Sequence, residues 1–159
     1  MSQLTFGVIG TSRKTDDRRY PIHPEHLARI PEYLRHRLIF EEGYGAAFNI
    51  SDDEIAAQTG GIATRHEILA DIGAVIIAKP ILADLEELRE GGILWGYVHC
   101  VQQREITQAA LDRKLTLIAF EDMFVWSPAG HVGRPTFYKN NKLVGYCAVI
   151  HAWQIKGID

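Results

Sequence analysis

The sequence predicts one α/β domain in which a mostly parallel β-sheet is covered by helices on both faces. Two observations lead to this fold class: short apolar runs of strand length recur along the chain, and segments with helical periodicity separate them. A length of 159 residues, of which 47% are hydrophobic, is enough to build the core of a single three-layer domain of this kind.

Five apolar runs carry the strand prediction, because they are rich in β-branched or aromatic residues and end at glycine, proline or polar clusters. In chain order they are LTFGVI (4–9), LIFEE (38–42), AVIIA (74–78), ILWGYV (93–98) and LTLIAF (115–120). Strands that alternate with helices are typical of Rossmann-like or flavodoxin-like sheets, in which ligands bind beyond the carboxyl ends of the strands.

The predicted helices between these strands have recognisable ends. In a capping box, a hydroxyl and a carboxylate three residues later satisfy two backbone amides that the first helical turn leaves unpaired. The sequence contains two such pairs, Ser51 with Glu54 and Thr64 with Glu67. Apolar residues at helical spacing predict two further helices, 82–89 and 105–113.

The pattern changes toward the end of the chain. Between residues 124 and 143 we expect a long polar loop or an irregular hairpin, and the stretch VGYCAVIHAWQIKG then predicts a helix that is apolar nearly all round. We therefore divide the chain into a domain, 1–142, and a C-terminal apolar helix, 143–159. Such a helix needs cover, either from a second copy in a homodimer or from a domain that this chain lacks.

Composition excludes several kinds of partner. With 17 Lys and Arg against 20 Asp and Glu, the formal charge is -3, so we expect no nucleic-acid partner. No apolar run is long enough to span a bilayer and no signal-peptide pattern opens the sequence, so we expect a cytoplasmic protein without a membrane partner. We expect Cys100 and Cys147 to be small buried hydrophobes, and no Cys or carboxylate spacing completes a metal site with His23 and His26.

The basic loop after the first strand raises the question of nucleotide binding. Gly7 and Gly10 lie in FGVIGTSRKTDDRRYP, but a dinucleotide loop needs a third glycine and an early helix, so we expect this chain alone to bind no cofactor. One or two of the basic side chains in the loop can instead form a bidentate pair with a carboxylate, although solvated surface charges are the alternative. These side chains are Arg13, Lys14, Arg18 and Arg19.

Two other predicted strands are followed by polar side chains that suit chemistry on a carbonyl group. Lys79 directly follows AVIIA, where a partly desolvated ammonium can hold an oxo or carboxylate oxygen. His99 directly follows ILWGYV, and its imidazole can protonate a carbonyl or an imine near neutral pH. A hydrogen-bonded buried histidine and a lysine that reaches solvent are the structural alternatives. Together with the basic loop, these residues predict a site for a small 2-oxo acid or amino acid.

Five stretches of the chain carry a family resemblance: DDRRYPIHPE, RLIFEEGYGAAFNISDDE, GYVHCVQQREIT, LTLIAFEDM and KNNKLVGYCAVIHAWQ. They resemble the N-terminal, substrate-binding domain of the alanine dehydrogenase and pyridine nucleotide transhydrogenase family, in particular its carboxyethylornithine synthase branch. The resemblance implies that Arg18 and Lys79 hold the substrate carboxylate and oxo oxygen and that His99 is the acid/base. It also implies that Glu121 and Asp122 lie at the pocket edge, where a helix cap or a surface salt bridge is an equal alternative.

The chain departs from the family in two ways. The family usually has Pro-Lys after its first strand, whereas this sequence has Ile9 and Gly10, so one basic pocket residue is absent or is replaced by Arg13 or Lys14. In the family, the helix that resembles the C-terminal one leads into a Rossmann domain that carries the nicotinamide cofactor. We therefore expect NAD(P) only if a separate nucleotide domain joins this chain.

Three functions are compatible with these residues. The first is a free-standing enzyme that binds a small 2-oxo acid or amino acid and catalyses non-redox acid/base chemistry: condensation, elimination, hydration or isomerisation. The second is the substrate-binding half of a split or truncated NAD(P)-dependent oxidoreductase. The third is a non-catalytic small-molecule binding module. Retention of the three polar groups Arg18, Lys79 and His99 speaks against a relic without function.

Overall fold

The computed structural model describes residues 4–15 and 17–157, and it confirms an α/β fold with a six-stranded parallel sheet. The strands are β1 (Phe6–Ile9), β2 (Leu38–Glu41), β3 (Gly61–Ala63), β4 (Ala74–Ile77), β5 (Ile93–Gly96) and β6 (Thr116–Ala119), in the order β3-β2-β1-β4-β5-β6. Each neighbouring pair is parallel; Gly7, for example, lies opposite Ile39 on one side and Val75 on the other. All five predicted strands are therefore present.

Six α-helices are found in the described residues: α1 (Glu32–Arg35), α2 (Asp52–Ala56), α3 (Arg65–Asp71), α4 (Leu82–Glu87), α5 (Arg104–Asp112) and α6 (Tyr138–Ile155). Short 3-10 helices occur at Pro24–Arg29, Ala46–Phe48 and Phe120–Asp122. Both predicted capping boxes are confirmed, because the side chains of Ser51 and Thr64 each accept a hydrogen bond from the backbone amide of the glutamate three residues later, and their own backbone amides donate to that glutamate's carboxylate. The predicted helices 82–89 and 105–113 correspond to α4 and α5 within one or two residues.

Sequence periodicity does not reveal the shortest elements. Strand β3 has three residues, all only half-buried, and α1 has four, so neither is long enough to show a repeat. The irregular hairpin expected between residues 124 and 143 consists of the antiparallel strands β7 (Phe124–Trp126) and β8 (Val132–Pro135). The chain divides into two compact units, with the first ending at Ala119 and the second starting at Phe120.

Helix α6, in the second unit, is 18 residues long, and it begins at Tyr138 rather than at residue 143. Every residue from 139 to 155 is exposed, including the large apolar side chains of Leu143, Val149 and Trp153. The prediction that Cys147 is buried is therefore wrong, because it lies on this helix, while Cys100 is half-buried. Within the described residues, no helix combines the length and the apolar character needed to cross a membrane.

The core of the first unit lies between the central strands and the helices that follow them. Ile9, Val75, Ile77 and Leu94 from β1, β4 and β5 are almost completely buried. They belong to one cluster with apolar residues of α3, α4 and α5: Ile68, Leu69, Leu85, Ile106 and Ala110. Burial of a side chain of this size stabilises the fold by about 1.5–3 kcal/mol, so this cluster holds the strands and their carboxyl ends in register.

A buried ionic network joins the carboxyl ends of β1 and β2 to α3 and α4. The Glu41 carboxylate accepts hydrogen bonds from the backbone amides of Gly10 (3.0 Å) and Thr11 (2.9 Å) and from Nη1 of Arg65 (3.0 Å). The other terminal nitrogen of Arg65 donates to Asp84 at 2.7 Å, and Asp84 caps α4 by accepting from the backbone amide of Ile81. The side chains of Glu41 and Asp84 are 7% and 1% exposed, so Glu41 depends on Arg65 for compensation, and Asp84 depends on Arg65 together with Arg13, which lies 3.6 Å away.

We expect Arg65→Met to lower the free energy of unfolding by about 3–5 kcal/mol, because it leaves the buried Glu41 without its counter-charge and leaves the buried Asp84 with only Arg13, 3.6 Å away. Urea unfolding followed by circular dichroism measures the change. Arg104→Met is the matched control, since Arg104 is exposed at the start of α5 and its loss should change stability by less than about 0.5 kcal/mol. Equal unfolding midpoints for the two variants would contradict a structural role for the network.

Candidate functional site

The strand order reverses between β1 and β4, and this reversal defines the crevice in which α/β sheets bind ligands. β1 ends at Ile9 and leads into the basic loop, and β4 ends at Ile77 and leads through Ala78 to Lys79. β5 lies beside β4 and leads to Tyr97 and His99. The polar residues predicted from the strand ends therefore lie next to one another at the C-terminal ends of the central strands.

The ring of Tyr97 is the centre of a cluster of polar side chains at this edge. The guanidinium carbon of Arg19 lies 5.4 Å from the ring centre, and Nζ of Lys79 lies 5.9 Å from it. The imidazole of His99 stacks with the same ring, with 6.0 Å between the centres and 22° between the planes. Both cations are within the range of cation–π attraction, so an aromatic ring stabilises two like charges near one imidazole. We call Arg19, Lys79, Tyr97 and His99 the Tyr97 cluster.

Backbone contacts hold the Tyr97 cluster in place. The amide of Tyr97 donates to the carbonyl of Ala78 at 3.1 Å, which ties the end of β5 to the end of β4. Gly96 allows this approach, because a Cβ there would lie only 2.0 Å from the carbonyl oxygen of Ile77. His99 has a φ of 47°, a left-handed conformation that is uncommon outside glycine, and its carbonyl accepts from the amides of Gln102 and Gln103 at 3.0 Å. Strained backbone of this kind is concentrated at functional sites.

Asp17 orients the guanidinium of Arg19. Its carboxylate accepts from Nε of Arg19 at 3.0 Å and forms a second bond to a terminal nitrogen of the same side chain. The side-chain hydrogen bond with Arg19 lowers the pKa of Asp17, and the same bond raises the pKa of Arg19. Arg19 is therefore a fixed cation, held over Tyr97 by an ionised partner.

Arg18 lies on a different surface from Arg19. It lines a cleft of about 550 Å³ together with Thr11, Ser12, Tyr20 and Phe48, among others. Of the residues that the structure describes, neither Lys79 nor His99 lines this cleft. The structure thus brings Lys79 and His99 together around Tyr97, with Arg19 rather than Arg18 as the arginine of that group.

The remaining predicted site residues lie elsewhere. Arg13 pairs with Glu87, with 2.8 Å between Nη1 and Oε1, and lies 3.6 Å from Asp84, and the hydrogen bond to Glu87 raises its pKa. Its guanidinium is thus occupied by two carboxylates. Glu121 and Asp122 belong to the 3-10 helix that opens the second unit. A substrate-binding role for any of these three residues stays a prediction.

Sequence reasoning missed Tyr97 and chose Arg18 over Arg19. Tyr97 precedes His99 by two residues at the same strand end, so its position in the sequence could have identified it as a site residue. Arg18 and Arg19 are neighbours in a loop without regular secondary structure, in which the amide of Arg19 donates to the Asp17 carboxylate at 3.1 Å. Only the path of the loop decides which of the two reaches the ends of β4 and β5.

The relatives found by comparison with known proteins include alanine dehydrogenases and an N(5)-(carboxyethyl)ornithine synthase. The chain is 34% identical over 88 residues to alanine dehydrogenase of Methanococcus maripaludis, covering 54% of this chain and 24% of that protein. It is 30% identical over 115 residues to alanine dehydrogenase of Mycobacterium tuberculosis (71% and 31% covered). It is also 28% identical over 148 residues to N(5)-(carboxyethyl)ornithine synthase of Lactococcus lactis (86% and 45% covered). The chain thus spans less than half of the length of each of these relatives.

Solved structures support the same fold. An L-alanine dehydrogenase superposes with a TM-score of 0.63 at 20% identity, covering 80% of this chain and 35% of that one. A transhydrogenase from Sinorhizobium meliloti superposes with a TM-score of 0.61 at 16% identity, covering 75% and 35%. A family model described as alanine dehydrogenase/PNT, N-terminal domain, matches residues 8–129. The family resemblance inferred from the sequence is thus confirmed, and the chain belongs to the alanine dehydrogenase/PNT N-terminal domain family.

Proposed function

We propose that this domain binds a small 2-oxo acid or amino acid at the Tyr97 cluster and catalyses non-redox acid/base chemistry on it. The observation that supports this proposal is the convergence of Arg19, Lys79 and His99 on one aromatic ring, where the strand order reverses. Two cations and one imidazole match the carboxylate, the oxo oxygen and the transferable proton of such a substrate.

Each group has a defined part in the proposed chemistry. Arg19, held by Asp17, pairs with the substrate carboxylate. The ammonium of Lys79 stabilises negative charge on the oxo oxygen, and His99 transfers the proton. When the imidazole removes a proton from the carbon next to the carbonyl, the electron pair of that C–H bond forms the new C=C bond, the π pair of the carbonyl moves to its oxygen, and the enolate forms beside Lys79. Reprotonation completes an isomerisation, whereas attack of the enolate carbon on a second molecule leads to condensation.

Pyruvate and related 2-oxo acids should raise the melting temperature of the wild type. A ligand at 100 times its Kd adds about 2.7 kcal/mol, or roughly 5–10 °C for a chain of this size. Arg19→Ala and Lys79→Met should lose this shift in differential scanning fluorimetry, whereas Arg104→Ala, on the exposed start of α5, should keep it.

The same measurement distinguishes the two arginines. If Arg18→Ala loses the shift and Arg19→Ala keeps it, the assignment made from the sequence is right and the role of Arg19 is wrong. If the melting temperature of the wild type does not rise with any member of a broad panel of 2-oxo and amino acids, the proposed site is wrong.

Acid/base catalysis should appear as exchange of the methyl protons of pyruvate with D₂O, followed by proton NMR. His99→Asn should slow the exchange about 10²- to 10⁴-fold while keeping the thermal shift, because it removes the acid/base group and asparagine tolerates a positive φ. Binding of pyruvate without exchange by the wild type would contradict this chemistry and would leave the third possibility, a non-catalytic binding module.

A second candidate function is the substrate-binding half of an NAD(P)-dependent oxidoreductase. It is favoured by the relatives named alanine dehydrogenase, of which this chain spans only 24–31%. The described residues do not fit the cofactor itself: the amides of Gly10 and Thr11, which a pyrophosphate would need, both donate to Glu41. In that case the cofactor belongs to a separate nucleotide domain, and the exposed apolar residues of α6 are a surface on which such a domain or a second copy of this chain can pack.

NADH and NADPH titrations test whether this chain alone holds the cofactor, which neither function expects. We expect no saturable fluorescence change from this chain alone, because the two amides at the end of β1 that a pyrophosphate would need both donate to Glu41. Pyruvate-dependent oxidation of NADH by the chain alone would overturn the non-redox proposal.

A further inference from the structure

The cleft that contains Arg18 has no part in the chemistry proposed for the Tyr97 cluster. We define the aromatic cleft by Thr11, Ser12, Arg18, Tyr20, His23 and Phe48, which line a volume of about 550 Å³. We propose that the aromatic cleft is a second binding site, specific for an aromatic carboxylic acid. This proposal does not depend on the function proposed above, because none of these six residues belongs to the Tyr97 cluster; the two sites meet only at Asp17, which lines the cleft and holds Arg19.

The wall of the aromatic cleft is a series of rings packed edge to face. The ring centres of Phe48 and Tyr20 are 4.9 Å apart, with 74° between the ring planes. The ring centres of Phe48 and His23 are 4.4 Å apart, with 65° between the planes. Tyr20 in turn packs against the buried Tyr44 at 5.2 Å. Phe48 and Tyr20 are only half-buried, so part of each ring faces the cleft. A flat aromatic ligand would extend this edge-to-face series, which is the geometry that aromatic rings prefer.

Residues behind the wall make it rigid. The hydroxyl of Tyr44 donates to the carbonyl of Ile22 at 2.7 Å and accepts from its amide at 3.0 Å, and burial raises the pKa of this hydroxyl. Gly10 allows the rings to approach the strand end, because a Cβ there would lie 2.7 Å from ring carbons of both Tyr20 and Tyr44. A wall held in this way is formed before a ligand arrives, which favours binding because no ordering cost is added.

The polar groups of the aromatic cleft suit a carboxylate. Arg18 is exposed and forms no ion pair with the described residues, so its guanidinium is open to a bidentate pair. Nδ1 of His23 accepts from the amide of Glu25 at 3.3 Å, which leaves the ring proton of the neutral imidazole on Nε2 as a further donor. Asp17, the acidic residue that lines the cleft, is neutralised by Arg19. Asp17 and Arg18 cancel within the lining, and the Arg19 guanidinium paired with Asp17 makes the local charge of these described residues positive.

The same contacts argue against a phosphate ligand. A phosphate at a strand end is held by several backbone amides, but those of Gly10 and Thr11 both donate to Glu41. The hydroxyl of Thr11 also donates to Glu41, and the hydroxyl of Ser12 accepts from the amide of Lys14. What remains is the guanidinium of Arg18, the imidazole N–H of His23, the amide and hydroxyl proton of Ser12, and the aromatic wall. This set matches a single carboxylate attached to a flat ring.

Isothermal titration with phenylacetate and with cyclohexylacetate tests the proposal, because the two acids differ only in the aromaticity of the ring. We expect phenylacetate to bind roughly 2- to 10-fold more tightly, the range that corresponds to one edge-to-face contact. Phe48→Leu should remove this preference, and Arg18→Gln should weaken both acids at least 10-fold. Both residues are at least partly exposed, and circular dichroism checks that each variant folds.

Lys79→Met is the control that separates the two sites. It should leave phenylacetate binding unchanged, even if it abolishes the response to pyruvate. Loss of phenylacetate binding in Lys79→Met but not in Arg18→Gln would place the acid at the Tyr97 cluster and overturn the proposal. Equal affinity for the two acids, or no saturable binding at millimolar concentration, would also overturn it.

Discussion

The buried carboxylate of Glu41 is the contact on which the ligand-binding edge of the sheet depends. It accepts the amides of Gly10 and Thr11 at the end of β1 and pairs with Arg65, which also reaches Asp84 at the start of α4. One side chain on β2 thus connects the ends of β1, α3 and α4. Because a charge buried to this extent is costly unless it is fully paired, the loop after β1 has little freedom to leave this position.

This constraint also decides what the loop can bind. The amides of Gly10 and Thr11, which could have bound a phosphate, donate to Glu41 instead. A ligand at this loop is therefore recognised by the side chains that follow. In the segment from Asp17 to Tyr20, Arg19 lies over Tyr97 at the ends of β4 and β5, while Asp17, Arg18 and Tyr20 line the aromatic cleft. One short segment therefore supplies residues to both candidate sites.

Most of the first unit could be predicted from the sequence, since its strands are continuous apolar runs and two of its helices begin with complete capping boxes. The failures have physical reasons. Strand β3 is too short to show a period, and its place at the sheet edge comes from pairing with β2. Burial of Cys147 was predicted because free cysteines are usually buried, but α6 exposes apolar residues along its length.

For the site, local sequence determined that a lysine and a histidine directly follow two buried strands, and parallel strands bring such residues to one edge. It also determined that the first loop is basic and lacks a dinucleotide fingerprint. Tertiary structure alone decided that Arg19 and not Arg18 joins Lys79 and His99, that Tyr97 lies between them, and that Arg13 is occupied by Glu87 and Asp84. The reason is that a strand end is a local property of the chain, whereas the direction of a loop side chain depends on contacts with residues far away in sequence.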